Sequence, residues 1–381
     1  MILFIPNYSL LSSGPNYIFP ESDIKFLMGL SGSVSVTVLA HLKEAGTNAT
    51  GEYSNSYVPS SDAIGYSLIG LGEASVLGKA WLYLKTMAVC FFKAATFKGI
   101  FYIYYPGNIA FIAAIFARLL GRPYALYVRG DWTYRKDFKF MTPWILRKAR
   151  FVIVTGPGFA CKVAKHNTKV SQVVPMIATV GKEKKKDYSI SAGLPLVLFV
   201  GRMEKEKGIF DLLTAAIALL RSGVRFKCIF VGGGKADEIA EFRRLVKLNR
   251  MGPYIEYKGR ISEQGKLAEL YKSANVFAFP SYYREGFPRV IYEAMSYGLP
   301  IVCTILTGME GLMEDGNNCL SVKPCAPKDL ELTLKQLLDD EDAREYIGSN
   351  GYSKVTEYLS SLGCKNHSDQ VLDLYSEWRN F

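Results

Sequence analysis

The sequence predicts an α/β chain of two doubly wound domains, each a parallel sheet covered by helices, and three observations carry that prediction. Short apolar runs alternate with stretches of helical periodicity, which is the pattern of parallel strands whose crossovers lie on both faces. At 381 residues the length suits two domains, and 49% hydrophobic with 21% charged residues is a composition able to fill two cores. Between the halves, Lys182–Lys186 holds four lysines in five residues before Asp187 and Gly193-Leu194-Pro195, and reads as a solvated linker. The expected boundaries are 1–180 and 181–365, with a separate last helix at 366–381.

In the first half, Ile2–Ile5, Val34–Leu39, Ile100–Tyr105, Tyr124–Val128 and Phe151–Val154 read as strands. Leu77–Lys93 reads as an apolar-faced helix and Ile109–Leu120 as another. Pro106-Gly107-Asn108 cuts the uncharged stretch Gly99–Ala117 into a strand and a helix, so no membrane span is expected there. Glu44–Ser61, rich in Gly, Asn, Ser and Tyr, reads as a loop or flap. Met1–Pro6 has no basic start and reads as a strand rather than a leader. Seven cysteines without a C-x-x-C pair and three scattered histidines argue for reduced thiols in a cytosolic protein, against a disulfide scaffold or a zinc site.

In the second half, Leu196–Val200, Arg225–Val231, Tyr254–Lys258, Val276–Phe279 and Leu299–Cys303 read as strands. Ile209–Leu220, Ala236–Lys247 and Glu263–Ser273 read as the helices between them. Parallel sheets bind ligands at the carboxyl ends of their strands, so the loops there are the candidate site. After Val200 comes Gly201-Arg202-Met203-Glu204-Lys205-Glu206-Lys207-Gly208, where Arg202 and Lys207 can reach one diphosphate without a metal; the plain alternative is a pair of solvated cations. Gly232–Gly234 lacks the G-x-G-x-x-G spacing and the later acidic partner of a dinucleotide fingerprint. After Phe279, Pro280-Ser281 leads through Glu285-Gly286-Phe287-Pro288 into a helix that carries Glu293 and stops at Gly298 and Pro300. The unpaired N–H groups of that helix suit a hydroxylated or phosphorylated ligand around Gly286, Phe287 and Arg289, with the carboxylates of Glu285 and Glu293 on either side; the plain alternative is a solvated helical Glu.

These elements, taken in order, resemble the nucleotide-sugar site of the family-4 glycosyltransferases, whose GT-B fold sets two Rossmann-like domains across a cleft. The resemblance implies that Glu285 faces the donor sugar hydroxyls, that Glu293 binds the ribose hydroxyls, and that Arg202 and Lys207 stabilise the departing diphosphate. It places Arg260 and Ile261 against the nucleobase, Gly286, Phe287 and Pro288 along the donor, and the last helix back on the N-terminal domain. Arg129, in Tyr127-Val128-Arg129-Gly130-Asp131, stands where the family has a cleft histidine and would face the donor; the plain alternative is a surface pair with Asp131. Gly14, in Ser13-Gly14-Pro15, stands for a glycine pair. Thr307-Gly308-Met309-Glu310-Gly311 also departs from the family's loop. The function implied is retaining transfer of a hexose-type sugar from a UDP- or GDP-sugar to a glycan or lipid-linked glycan, with no cofactor or obligatory metal. The alternatives are a non-catalytic donor-binding partner subunit, or an epimerase or phosphorylase on the same fold.

Charge is uneven. Residues 1–180 carry 18 Lys and Arg against 8 Asp and Glu, a balance of +10 in a chain of +11. Arg118–Lys169 holds twelve basic residues among Trp132, Tyr134, Phe138, Phe140 and Trp144. With no nucleic-acid motif present, the expectation is an anionic membrane surface met by a cytoplasmic, peripheral protein, with a solvated face as the alternative.

Overall fold

The computed structural model describes residues 1–13, 16–44, 64–71, 75–133, 135–173, 186–190, 193–261, 263–283, 286–363 and 365–380. The chain divides into two compact units, Met1–Val174 with Cys364–Phe381, and Pro175–Gly363.

The first unit runs β1 (Ile2–Ile5), β2 (Leu10–Ser13), β3 (Asn16–Ile18), α1 (Glu21–Ser31), β4 (Val36–Glu44), β5 (Ile64–Gly70), α2 (Val76–Thr96), β6 (Ile100–Tyr105), α3 (Asn108–Leu119), β7 (Tyr124–Val128), α4 (Lys136–Leu146), β8 (Val152–Val154), α5 (Pro157–Ala164) and β9 (Val170–Gln172). The sheet order is β3-β2-β4-β1-β6-β7-β8-β9, with β5 also on β4. Among the described residues of this unit only the β2–β3 pair is antiparallel. Alternation along each strand splits the core in two, because successive side chains leave opposite faces. Leu3, Ile5, Phe101, Ile103 and Tyr105 join α2 to α5 on one face. Ile2, Phe4, Ile100, Tyr102 and Tyr104 join α1 and the chain's last helix on the other.

The second unit runs β10 (Leu196–Val200), α6 (Ile209–Arg221), β11 (Lys227–Val231), α7 (Ala236–Leu248), β12 (Ile255–Tyr257), α8 (Gln264–Ser273), β13 (Val276–Phe279), α9 (Arg289–Ser296), β14 (Ile301–Cys303), β15 (Leu320–Ser321), α10 (Pro327–Asp339) and α11 (Glu341–Leu362). Its strands lie in the order β12-β11-β10-β13-β14-β15, all parallel. The last helix, α12 (His367–Arg379), packs against α1 in the first unit. The α/β class with parallel sheets is therefore the observed one.

Several expectations change. The strand read as Val34–Leu39 is β4, shifted to Val36–Glu44, and pairs with β5. The linker lysines are not simply solvated: Lys186 Nζ donates to the Lys272 carbonyl at 3.0 Å, and burial lowers its pKa to about 8. Residues 182–185 lie outside the described residues, as do residues 45–61 of the flap. Among the described residues no helix is long and apolar enough to cross a membrane.

Candidate functional site

Five strand ends of the second unit meet at the carboxyl edge of its sheet, and backbone contacts tie their loops together. Gly201 N–H donates to Val231 O at 3.0 Å, Met203 N–H to Gly233 O at 2.7 Å, and Gly232 N–H to Gly259 O at 2.9 Å. The loops after β10, β11 and β12 thus form one platform. This explains the Gly232–Gly234 run: at Gly232, with φ +146°, a Cβ would overlap the Gly201 carbonyl oxygen. From Lys205 to Lys207 the chain makes one 3₁₀ turn and leaves it through Gly208 in the left-handed region, φ +75°. There the turn is pressed against the Pro280 carbonyl, and Tyr282 N–H donates to Glu206 O at 2.9 Å. The cation-bearing turn is fixed to β11 on one side and to the end of β13 on the other.

Arg202 and Lys207 converge on one ring. The Lys207 side chain is buried, at 4% exposure, with Nζ 4.7 Å from the centroid of Tyr283, and the Arg202 guanidinium lies 5.0 Å from the same centroid. Arg202 is half exposed and held at 2.6 Å by Glu204, which is itself largely buried. A lysine placed this deep needs favourable neighbours, and the rings of Phe279 and Tyr283 are two of them.

Pro288 is the N-cap of α9 rather than part of its first turn. Phe287 is buried and stacks on Tyr292 at 3.9 Å. Glu293, half-buried on α9, accepts a hydrogen bond from Tyr271 Oη at 2.9 Å. Burial, and the Glu293 carboxylate beside it, push the Tyr271 phenol well above its ordinary pKa, so it stays protonated and a donor. Gly286 and Phe287 lie against the 3₁₀ turn Thr307–Met309 that follows β14. Arg260 is exposed after β12, and Ile261 is half-buried against the core. The structure therefore brings Arg202, Lys207, Arg260, Ile261, Gly286, Phe287 and Pro288 to the loops of one sheet edge, with Glu293 on the helix that leaves it. Glu285 and Gly14 lie outside the described residues.

In the first unit, Arg129 does not pair with Asp131, whose carboxylate instead accepts from Thr133 N–H and Oγ1. Its partner is Asp23, 3.7 Å away and buried, which also accepts from Tyr8 Oη at 2.5 Å and Tyr104 Oη at 3.4 Å. Burial opposes the Arg129 charge, but Tyr127, Asp23, Tyr104 and Tyr8 outweigh it and hold the pKa above its ordinary value. Nearby, His367 of α12 shares a 2.6 Å hydrogen bond with Tyr102, and burial followed by the Arg129 charge lowers its pKa to about 3. Reading the sequence missed Tyr271, Tyr283 and Asp23. Tyr283 is two residues from Ser281 in the loop already singled out, so it was within reach; the other two carry no local signal.

Residues 180–354 match the family model described as Glycosyl transferases group 1. The D-inositol 3-phosphate glycosyltransferase of Corynebacterium kroppenstedtii is 25% identical over 213 residues, 55% of this chain and 46% of that protein. The capsular polysaccharide biosynthesis glycosyltransferase CapM of Staphylococcus aureus is 28% identical over 163 residues, 43% of this chain and 42% of that one. The chain spans less than half the length of these curated relatives. Among solved structures, Anabaena HepE in complex with UDP matches with a TM-score of 0.60 at 16% identity, over 99% of each chain, a likeness of fold.

Proposed function

We propose that the chain is a retaining family-4 glycosyltransferase that moves a hexose-type sugar from a UDP- or GDP-sugar to a glycan or lipid-linked glycan in surface polysaccharide synthesis. The observation that carries the reading is the convergence of buried Lys207 and Arg202 on Tyr283 at the carboxyl edge of the parallel sheet. Two cations fixed there suit a nucleoside diphosphate as leaving group. The bond from the anomeric carbon to the diphosphate oxygen breaks, the acceptor oxygen takes its place on the same face, and the acceptor's proton passes to the departing diphosphate. Glu293, oriented by Tyr271, holds the ribose hydroxyls; Gly286, Phe287 and Pro288 line the donor; Arg260 and Ile261 flank the base. On the strength of the family resemblance, Glu285 faces the donor sugar hydroxyls; Gly14 and Arg129 belong to the first unit. Support comes from the group 1 match over 180–354 and from UDP in the HepE structure. A lipid-linked acceptor would be met peripherally at an anionic membrane surface on the cytoplasmic side.

Thermal-shift titration with UDP, GDP and their sugars tests the donor. One nucleotide series is expected to stabilise the protein by about 2.7 kcal/mol at a hundredfold excess over its Kd. In Glu293→Ala the affinity is expected to fall by about 1.5–3 kcal/mol, the value of a hydrogen bond to a charged group. No shift with any nucleotide sugar rejects the proposal. A shift without release of UDP or GDP in the presence of a lipid-extract acceptor favours the non-catalytic subunit.

The proposal includes charge compensation by Arg202 and Lys207 in place of a divalent ion. Turnover is expected to be unchanged by a chelator, as followed by nucleoside-diphosphate release. Loss restored by manganese or magnesium would overturn this part alone.

A further inference from the structure

The face that α2 turns to solvent is its more apolar one. Thr86, Cys90 and Ala94 point into the core, and His41 Nε2 meets Thr86 Oγ1 there at 2.9 Å. On the opposite side Leu77, Trp81, Leu84, Ala88 and Phe91, joined by Phe92, follow a spacing of three and four residues and are all exposed, Trp81 by 68% and Phe92 by 64%. A face of this size on one helix marks a surface that is covered in use. Charge indicates what covers it. From Ser75 to Gly130 the chain has seven Lys and Arg and no Asp or Glu, and Lys79, Lys85 and Lys93 lie on the helix itself. At its C-terminal end the Arg122 guanidinium donates to the carbonyls of Ala94 and Ala95, placing a further cation there. A second copy would bring these cations together with no carboxylate on either helix to match them.

We infer that α2 lies in the plane of an anionic lipid bilayer, with Leu77, Trp81, Leu84, Phe91 and Phe92 among the acyl chains and its lysines at the headgroup phosphates. This deepens the membrane encounter of the proposed function and moves it from the Arg118–Lys169 segment. Several cations of that segment are already engaged: Arg118 lies over Trp144 at 4.1 Å, and Arg135 is bound to Asp137 and Asn108. Exposed Leu119 and Leu120 at the end of α3, the helix packed beside α2, extend the apolar surface.

The test is flotation of the full chain, without nucleotide, on vesicles containing phosphatidylglycerol and on vesicles of phosphatidylcholine alone. Wild type is expected to float with the anionic vesicles only, with Trp emission shifted to the blue, a shift absent in Trp81→Phe. Trp81→Glu combined with Leu84→Glu is expected to lower the bound fraction about tenfold or more. Both side chains are exposed, so the melting temperature and the nucleotide thermal shift are expected to stay at wild-type values. No flotation by wild type, or equal flotation of the double variant, overturns the inference. A wild-type dimer in sedimentation that the double variant dissociates, with no lipid binding, also overturns it, in favour of a second copy. Because nucleotide binding is measured apart from flotation, failure of the donor proposal and failure of this inference give different results.

Discussion

Lys207→Ala is expected to lower turnover at saturating donor by about 10²–10³-fold, the usual cost of removing one fixed donor from a developing anion. The size follows from burial. On the proposed reading, the side chain of Lys207, a residue 4% exposed on a turn tied to two strand ends, would not reorganise as a diphosphate departs. Solvent is poorly placed to replace it. The accompanying loss of stability is expected to be small, because the aromatic neighbours Phe279 and Tyr283 remain to close the site. Measurement of kcat and melting temperature together separates the roles. Wild-type turnover with a depressed melting point would make Lys207 a structural residue only.

Gly232→Ala is expected to be the most destabilising of the conservative changes, at about 3–5 kcal/mol, while its neighbour Gly233→Ala stays within about 0.5 kcal/mol. The contrast arises from one carbonyl. A methyl group at Gly232 overlaps Gly201 O in a backbone conformation that L residues rarely adopt, whereas a methyl group at Gly233 meets no atom within 4 Å. For a unit of this size the first change corresponds to a fall of about 10 °C in melting temperature. Equal melting temperatures for the two variants would show that the loops after β10 and β11 are not in contact.

Among the strands read to the residue were Ile100–Tyr105, Leu196–Val200 and Val276–Phe279, each a continuous apolar run in a parallel sheet with nearly every residue buried. Such runs are visible in sequence because burial acts on every residue of the strand. The positions of Arg202 and Lys207, in the loop after β10, and of Glu293, on the helix after β13, follow from the same strand ends. Partnerships across the fold were not legible. Asp23 and Arg129 meet although α1 and the loop after β7 are far apart in sequence, and Tyr271 reaches Glu293 from a different helix. Lys186 read as a solvated lysine because composition cannot show that Tyr188 and Gly298 pack beside it. α2 is the instructive case. Its apolar periodicity was correct, but the pattern alone does not say which face turns inward, and the small residues were the ones the sheet had room for.

The first unit is closed by a segment that follows the whole of the second unit in the sequence. Val371 and Tyr375 of α12 belong to the same buried cluster as Phe4 and Phe26, and His367 stacks on Phe26 at 4.4 Å. The whole of the second unit lies between β9 and these residues in the sequence, so without α12 one face of the first unit's sheet keeps α1 but lacks the rest of its cover. Domains that fold as units usually finish in the order in which they are synthesised. Here the first unit departs from that simple order, because one piece of it follows the second unit in the sequence.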